Sequence, residues 1–542
     1  MAANVHAYFA ILMTNHQPRY QTPSNPMWPQ LRRAFCFPAT LCGVLALTIF
    51  AVARDGLNDP DIWWHLRNAE LLFHERRWLR ADTYSYTVFG HPWVNHEWLA
   101  EIPYYAAWRL FDLAGIKVLS LLLLAAIFSG VLCLCWWKSG NIKAAAAACF
   151  LAVLLGSVSF GPRTILFGYA YLVILLVLLE RFHARGKAPL WVLPPLFGLW
   201  ANTHGSWSIG MAVLLVFIGC GLVEGHWHNV VAKRWSRSQL RKLAGAAALS
   251  VAALFVNPYV YRLVLYPLDI VFRQRLNVAH VQEWSSVDFH DIRGKIALLT
   301  VLLLLAGAIF GRYQWKLHEV VLVAFGIYAG FTHVRFLFLA GIFLAPVIAN
   351  LMSWMPAYRP EIDKPLLNAL ILAGALAFIV HAFPTSEKLR ESTEREYPAE
   401  ILPHLKSNPP SGLVLNFYTW GGYLVWRNPD FRDFIDSRVD VFEYAGVLRD
   451  YLDLINLKSV PAVLEKYHAR YVLFPPEEPL SHVLEHDPGW KVIYAGRVSI
   501  MFERVDREPG STSPGARIAQ QTCADGGPVH ELIRRIGPEA RE

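Results

Sequence analysis

The chain has 542 residues, 55% of them hydrophobic, with a mean hydropathy of +0.31, which excludes an ordinary soluble enzyme and marks an integral membrane protein. Its net charge of +8 is not a nucleic-acid signal, because the Lys and Arg residues are spread through short loops. Seven cysteines without a C-x-x-C pair exclude a disulfide framework or a zinc cluster.

Residues 1–34 read as a cytoplasmic extension ahead of a first apolar segment, 35–54. Ala51-Val52-Ala53 resembles a cleavage site, but the long leader and the span-length apolar run favour an uncleaved anchor. Hydropathy predicts about eleven spans: 35–54, 113–137, 144–160, 164–180, 188–203, 205–223, 240–256, 295–311, 317–332, 336–355 and 366–383. The stretch 258–275 is amphipathic and reads as interfacial or re-entrant. With the N-terminus inside, every inside loop is basic, from Arg32-Arg33 through Lys138 and Lys143 to Arg359 and Lys364. The expected class is therefore an α-helical polytopic membrane protein with a small C-terminal α/β extracytoplasmic domain.

The loop 55–112 is the richest in chemistry. It opens DPDIWWHLRNAELLF and closes HPWVNHEWLAE, so acids and imidazoles lie beside the first span, where they are costly unless paired, hydrated or at work. Ile62, Leu66, Ala69 and Phe73 recur at helical spacing, which predicts an amphipathic helix over 61–78 lying on the membrane with Trp63, Trp64 and Trp78 at headgroup level. Asp59 reads as its N-cap and Asp61 as the residue for catalysis. Orientation places four further polar clusters on the same outer face: Gly161-Pro162-Arg163, Asn202 to Gly205, the loop 257–284, and His333-Val334-Arg335.

From about residue 384 the composition changes to that of a small α/β domain ending near 505, with strands expected at 413–417, 423–426, 434–436, 471–474, 491–494 and 499–503. Residues 398–407, 445–457 and 461–467 read as helices, and 506–542 as a disordered tail.

The pattern from Asp61 through Trp64-His65, Ala69 and Leu72 resembles the first outer loop of GT-C glycosyltransferases, which take sugars from polyprenyl-phosphate carriers. These include protein O-mannosyltransferases, aminoarabinose transferases and oligosaccharyltransferase catalytic subunits. The chain looks most like a bacterial branch with DPDxWWHL, HEWL, WGGY (Trp420 to Tyr423) and FIDxR (Phe434 to Arg438) motifs. The resemblance implies Asp61 as general base, with Asp59 second. It departs from the pattern at His96-Glu97, which stand where many relatives have Lys-Pro.

Transfer from a lipid phosphate needs a base for the acceptor hydroxyl and cations for the departing phosphate. Arg163, Arg262 and Arg335 are the expected phosphate ligands, with His333 as an added donor; their alternative is headgroup anchoring. His96-Glu97 and His204 could bind a divalent metal with Asp61, but no close-spaced metal motif is present, and a hydrogen-bonded network bracing the loop is the favoured reading. Asn202 and His204 line the cavity or cap a helix end. Trp420, Tyr423, Asp436 and Arg438 form a rim for acceptor, or a turn at Gly421-Gly422 and a plain ion pair.

The expected partners are the lipid bilayer, a polyprenyl-phosphate sugar and a glycan, lipid or protein acceptor, with no nucleic acid. The expected location is a bacterial inner membrane, N-terminus cytoplasmic and C-terminal domain periplasmic. A lipid-linked glycan flippase and a non-catalytic envelope assembly protein are the alternatives.

Overall fold

A computed structural model describes residues 32–53, 57, 59–280, 282–311 and 313–505. Most of the N-terminal extension and all of the tail from 506 lie outside these described residues. The chain divides into two compact units: one of residues up to Arg80 and from Val94 to Thr393, the other of Ala81–Trp93 and the residues from Glu394 on.

The first unit is a helical bundle. In chain order its helices are α1 (Phe37–Ala53), α2 (Asp61–His74), α3 (Trp98–Ser139), α4 (Ile142–Gly156), α5 (Ile165–Arg185), α6 (Leu193–Thr203) and α7 (Trp207–Cys220). They continue as α8 (Arg237–Leu254), α9 (Tyr261–Arg273), α10 (Arg275–His280), α11 (Ile292–Phe310), α12 (Leu317–Thr332), α13 (Leu337–Leu351), α14 (Pro365–Ala382) and α15 (Ser386–Glu394).

Each of the eleven expected spans coincides with a helix. Six helical segments among the described residues are long and apolar enough to cross a membrane: α3, α4 extended to Ser159, α5, α11, α13 with its Val334 lead-in, and α14. α1, α7 and α12 are shorter apolar helices; α6 is short, and α8, though 18 residues long, is not apolar enough. α3 is longer than expected because a second helix precedes the apolar one. The two meet at Phe111-Asp112, where the backbone leaves helical geometry.

Small residues set the packing. The alanine-rich α4 lies against α13, where a side chain on Gly341 would come within 3.1 Å of the Ala152 carbonyl. Phe338 on α13 stacks on Phe128 of α3 at 5.3 Å and meets Tyr169 of α5 at 4.2 Å, tying three helices into one core. A three-stranded sheet of β1 (Gly225–Trp227), β2 (Val230–Ala232) and β3 (Trp315–Lys316) joins two loops of this unit.

α2 departs from its expected surface position. Trp63 and Trp64 are buried along with Ile62, His65, Leu66, Asn68, Ala69 and Leu71, so the helix packs inside the protein and not at headgroup level. Phe73, expected on the apolar face, is the exposed one.

The second unit carries a four-stranded mixed sheet of order β4-β5-β7-β6, built from β4 (Leu413–Asn416), β5 (Ala469–Phe474), β6 (Trp490–Ala495) and β7 (Ile500–Arg504). Its helices are α16 (Leu402–Ser407), α17 (Gly421–Arg427), α18 (Val439–Tyr444), α19 (Val447–Ile455), α20 (Val460–Lys466) and α21 (Pro479–His486). Two expected strands are corrected. Residues 423–426 lie in α17, and 434–436 form an irregular segment beside an isolated bridge between Ser85 and Asp433.

Candidate functional site

The site is assembled from two residue pairs, three and four residues apart, on two adjoining helices. His65 and Asn68 lie one turn apart on α2, and Glu97 and Glu101 lie one turn apart at the start of α3, so both pairs present a single face. α2 packs on α3 and the faces meet. His65 Nδ1 lies 3.1 Å from Glu101 Oε1 and its Nε2 lies 3.3 Å from Glu97 Oε2. Asn68 and Asn95 donate to Glu101 Oε1 at 2.7 and 2.8 Å.

Glu97 is the hub. Its Oε1 accepts from the Thr164 hydroxyl at 2.7 Å and lies 3.4 Å from His204 Nε2 and 3.5 Å from His96 Nε2. His204 Nδ1 accepts the Ser206 backbone N–H at 2.9 Å, which leaves the proton on Nε2, facing Glu97. The His96 ring rests on Tyr266 of α9 at 4.1 Å.

Burial acts differently on these imidazoles. It would lower His65, but the hydrogen bonds to Glu101 and Glu97 outweigh it and push His65 up to about 10. His96 is lowered and His204 falls to about 3, burial being the leading cause in both. Burial would raise Glu97, yet His96, His65 and His204 together hold its carboxyl far below the usual range. At neutral pH the cluster is therefore an imidazolium between two carboxylates, with two neutral imidazoles at its edge.

The two aspartates have different partners, and the N-cap of α2 is Pro60 and not Asp59 as expected. Asp59 Oδ1 accepts the Asp61 backbone N–H at 2.9 Å, and its Oδ2 is paired with Arg163. Asp61 is half-buried at the start of α2, where its Oδ1 accepts the Trp64 indole N–H at 3.2 Å.

The three arginines have different fates. Arg163 is clamped between Asp59 and Glu283, so its guanidinium is already neutralised, against its expected role as a phosphate ligand. Arg335 is looser, 4.0 Å from Glu283 and stacked 4.5 Å over Trp284. Arg262 is exposed on α9 and forms no ion pair among the described residues. His333 Nδ1 lies 2.6 Å from the Trp284 carbonyl, which fixes its tautomer within the 282–289 loop.

Asn202 spends its whole amide on structure. It accepts from Trp98 Nε1 at 2.8 Å and donates to the Gly198 and Val256 carbonyls, so it braces the helix ends instead of lining a cavity. Glu97 Oε1 faces the Thr164 hydroxyl and two imidazole nitrogens, a network of the kind expected to brace the loop, and the set of His, Asp and Glu atoms that could hold a metal among the described residues lies elsewhere, at Glu180, His183 and His318.

In the second unit the expected rim is a core. Trp420, Tyr423, Asp436 and Arg438 are all buried, where residues that meet an acceptor would be exposed. Arg438 pairs with Asp436 at 2.6 Å and Asp82 at 2.7 Å and lies 4.8 Å over the rings of both Tyr84 and Trp93.

Four site residues lack an expected role in the sequence reading: His65, Glu101, Thr164 and Glu283. The matched one-turn spacings His65/Asn68 and Glu97/Glu101 were a readable signal, whereas Thr164 and Glu283 are brought in only by packing.

No family model matches the chain, and no curated protein matches it. Among solved structures, it is similar to the Archaeoglobus fulgidus oligosaccharyltransferase tethered to an acceptor peptide containing the NVT sequon. The TM-score is 0.50 at 13% identity, covering 87% of this chain and 74% of that one. The chain shares the fold of that enzyme. A second structure of the archaeal enzyme AglB, with an inhibitory peptide and dolichol-phosphate, matches at TM-score 0.49 and 12% identity over 81% of this chain and 69% of that one. Within the helical bundle, the carboxylate–imidazole cluster draws on α2, the α3 start, Thr164 and the His204 turn, four segments distant in sequence.

Proposed function

We propose that this protein is a membrane glycosyltransferase that moves a sugar from a polyprenyl-phosphate carrier to a glycan, lipid or protein acceptor, with Asp61 as general base. The observation that carries this reading is the position of Asp61: it stands half-buried at the first residue of α2, with the Trp64 indole N–H on Oδ1, next in sequence to the Asp59–Arg163 pair and on the helix that carries His65 into the Glu97–Glu101 cluster. Asp61 takes the proton of the acceptor hydroxyl as its oxygen attacks the anomeric carbon, and the bond to the carrier phosphate breaks with inversion. Arg335 is the guanidinium positioned to receive the phosphate charge, since only a long contact to Glu283 competes for it. Arg163 instead locks Asp59 and Glu283 in place.

The basic loops expected on the cytoplasmic side support a site on the extracytoplasmic face of a bacterial inner membrane. The test is to supply purified protein with a polyprenyl-phosphate sugar and candidate acceptors, a sequon peptide among them, and compare wild type with Asp61→Asn. An unchanged rate in the variant sinks the role of Asp61. Retention of unmodified carrier by wild type with every acceptor sinks transferase activity itself.

A further inference from the structure

A second cluster of ionisable groups lies at the other end of the bundle, about 24 Å from Thr164 along α5 at ~1.5 Å per residue. On α5, Glu180 and His183 form an E-x-x-H pair, three residues apart and on one face. The start of α12 brings His318 and Glu319 against them. This Glu-x-x-His spacing is how helical bundles project metal ligands inward.

We propose that Glu180, His183 and His318 form a binding site for a divalent first-row transition metal, Zn2+ being the best match. The ligand atoms of the three side chains all lie within 4.8 Å of one another. Glu180 Oε1 and His318 Nε2 are 3.2 Å apart. Two ligands at ~2.1 Å from one tetrahedral ion are separated by about 3.4 Å, the scale of this pair; Lys138 holds Oε1, which leaves Oε2 as the oxygen for the metal. Two imidazoles and one carboxylate suit Zn2+, Fe2+ or Mn2+ and not the all-oxygen preference of Ca2+.

Two unmet polar groups point the same way. Glu180 Oε2 is buried without a hydrogen-bond donor. The His183 ring, half-buried, makes no hydrogen bond among the described residues and packs against the rings of His318, at 4.6 Å, and Trp235, at 5.4 Å. An imidazole in that position has a lone pair and nothing to give it to.

The surrounding charges accommodate a cation. Lys138 is buried between Glu180 at 2.6 Å and Glu319 at 2.5 Å, and Glu319 is further held by the Tyr313 hydroxyl at 2.8 Å and the Lys316 backbone N–H at 2.9 Å. The Lys316 ammonium, 3.7 Å from Glu180 Oε2, is 35% exposed, so it swings to solvent when a metal takes that oxygen. Three protein ligands leave one coordination position for water.

The experiment uses the full chain in detergent, stripped with chelator and titrated with Zn2+ or Co2+ alone. Elemental analysis should find about one metal per chain, with visible Co2+ bands of a four-coordinate N/O site. His183→Ala and His318→Gln should each weaken binding by more than about 100-fold, beyond the usual cost of losing an outer-sphere partner. Because the His183 ring makes no hydrogen bond, His183→Ala loses ring packing alone and should keep a cooperative melt in chelator, so lost binding there reports a lost ligand and not a lost fold. Wild type that holds no more Zn2+ or Co2+ than His183→Ala overturns the site, whatever the outcome of the transferase assay.

Discussion

Asp59 and Asp61 are two residues apart, but Asp59 is bound by the buried Arg163, while Asp61 accepts the Trp64 indole N–H at the start of α2. Their substitutions should therefore separate. Asp61→Asn should lower transfer by about 10²–10⁴-fold with little change in melting temperature. Asp59→Asn should cost about 3 kcal/mol of stability, because Arg163 is left in a largely buried position with Glu283 alone. Equal melting temperatures for the two variants would contradict this division. The same residue scale sets the pH response. His65 keeps its proton in the folded protein up to about 10 against an ordinary 6.5, so its contribution is complete below 6.5 and fades as pH rises through about 10. His204 has the opposite sign. Held neutral down to about 3, it leaves the unfolded chain to take up the proton between about 3 and 6.5, so stability falls as pH drops through that window. Thermal melts should peak near pH 6.5, and His65→Gln should flatten the alkaline side; a wild-type alkaline limb in that variant would rule His65 out. Asp61, Asp59, His96 and Glu97 were legible because polar groups beside an apolar span need a reason. Glu283 was not, since a lone acid in a loop 120 residues from Arg163 carries no periodicity to betray the pair.

At the scale of elements, apolar run length made the helices of the first unit readable almost to the residue, as at 317–332. The failures are short runs. Tyr423 to Trp426 are aromatic and β-branched like a strand, but a run of four cannot distinguish strand from buried helix. What decides it is Gly421. A Cβ there would come within 2.3 Å of the Ile435 carbonyl and 2.8 Å of Asp433 Oδ2, so the glycine lets α17 begin pressed against the 433–436 segment. Asn416 fixes the same segment from β4, accepting the Phe434 N–H at 2.7 Å and donating to the Ile435 carbonyl at 2.9 Å. Gly421→Ala should destabilise the second unit by about 3 kcal/mol through overpacking, read as faster limited proteolysis after Glu394. Unaltered proteolysis would mean that the segment yields and the contact is not limiting. α2 was misplaced for a related reason. Its tryptophans suit a membrane interface as well as a protein interior, and only the partners on α3 choose between them.

On the scale of the whole molecule, the division into two units does not follow the order of the chain. Residues 81–93 sit in sequence between α2 and α3 yet belong to the second unit. Tyr86 N–H donates to the Asp433 carbonyl at 3.0 Å, Thr87 donates to that of Phe434 at 2.6 Å, and Asp82 pairs with Arg438. Burial and the neighbouring Asp436 push Asp433 well above the usual carboxyl range, so Arg438 effectively balances Asp82 and Asp436. Arg438→Met should leave those two carboxylates buried without a counter-ion and cost about 3–5 kcal/mol. Hydrogen exchange should then show peptide 81–93 losing protection together with 433–438. Protection retained in 81–93 would show that the backbone pairing, not the arginine, holds the segment. The composition change near 384 signalled a second domain, but composition has no means of assigning thirteen residues from three hundred positions upstream.

That borrowed segment imposes an order on biosynthesis. Ala81–Trp93 leaves the ribosome long before Glu394 is made, a delay of roughly 15–60 s at about 5–20 residues per second. Throughout that wait Asp82, Tyr84 and Trp93 have no Arg438 to engage. The nascent chain must keep an aromatic, acidic loop from mispairing until its last hundred residues arrive, and a fragment starting at Glu394 lacks that loop however long it is given.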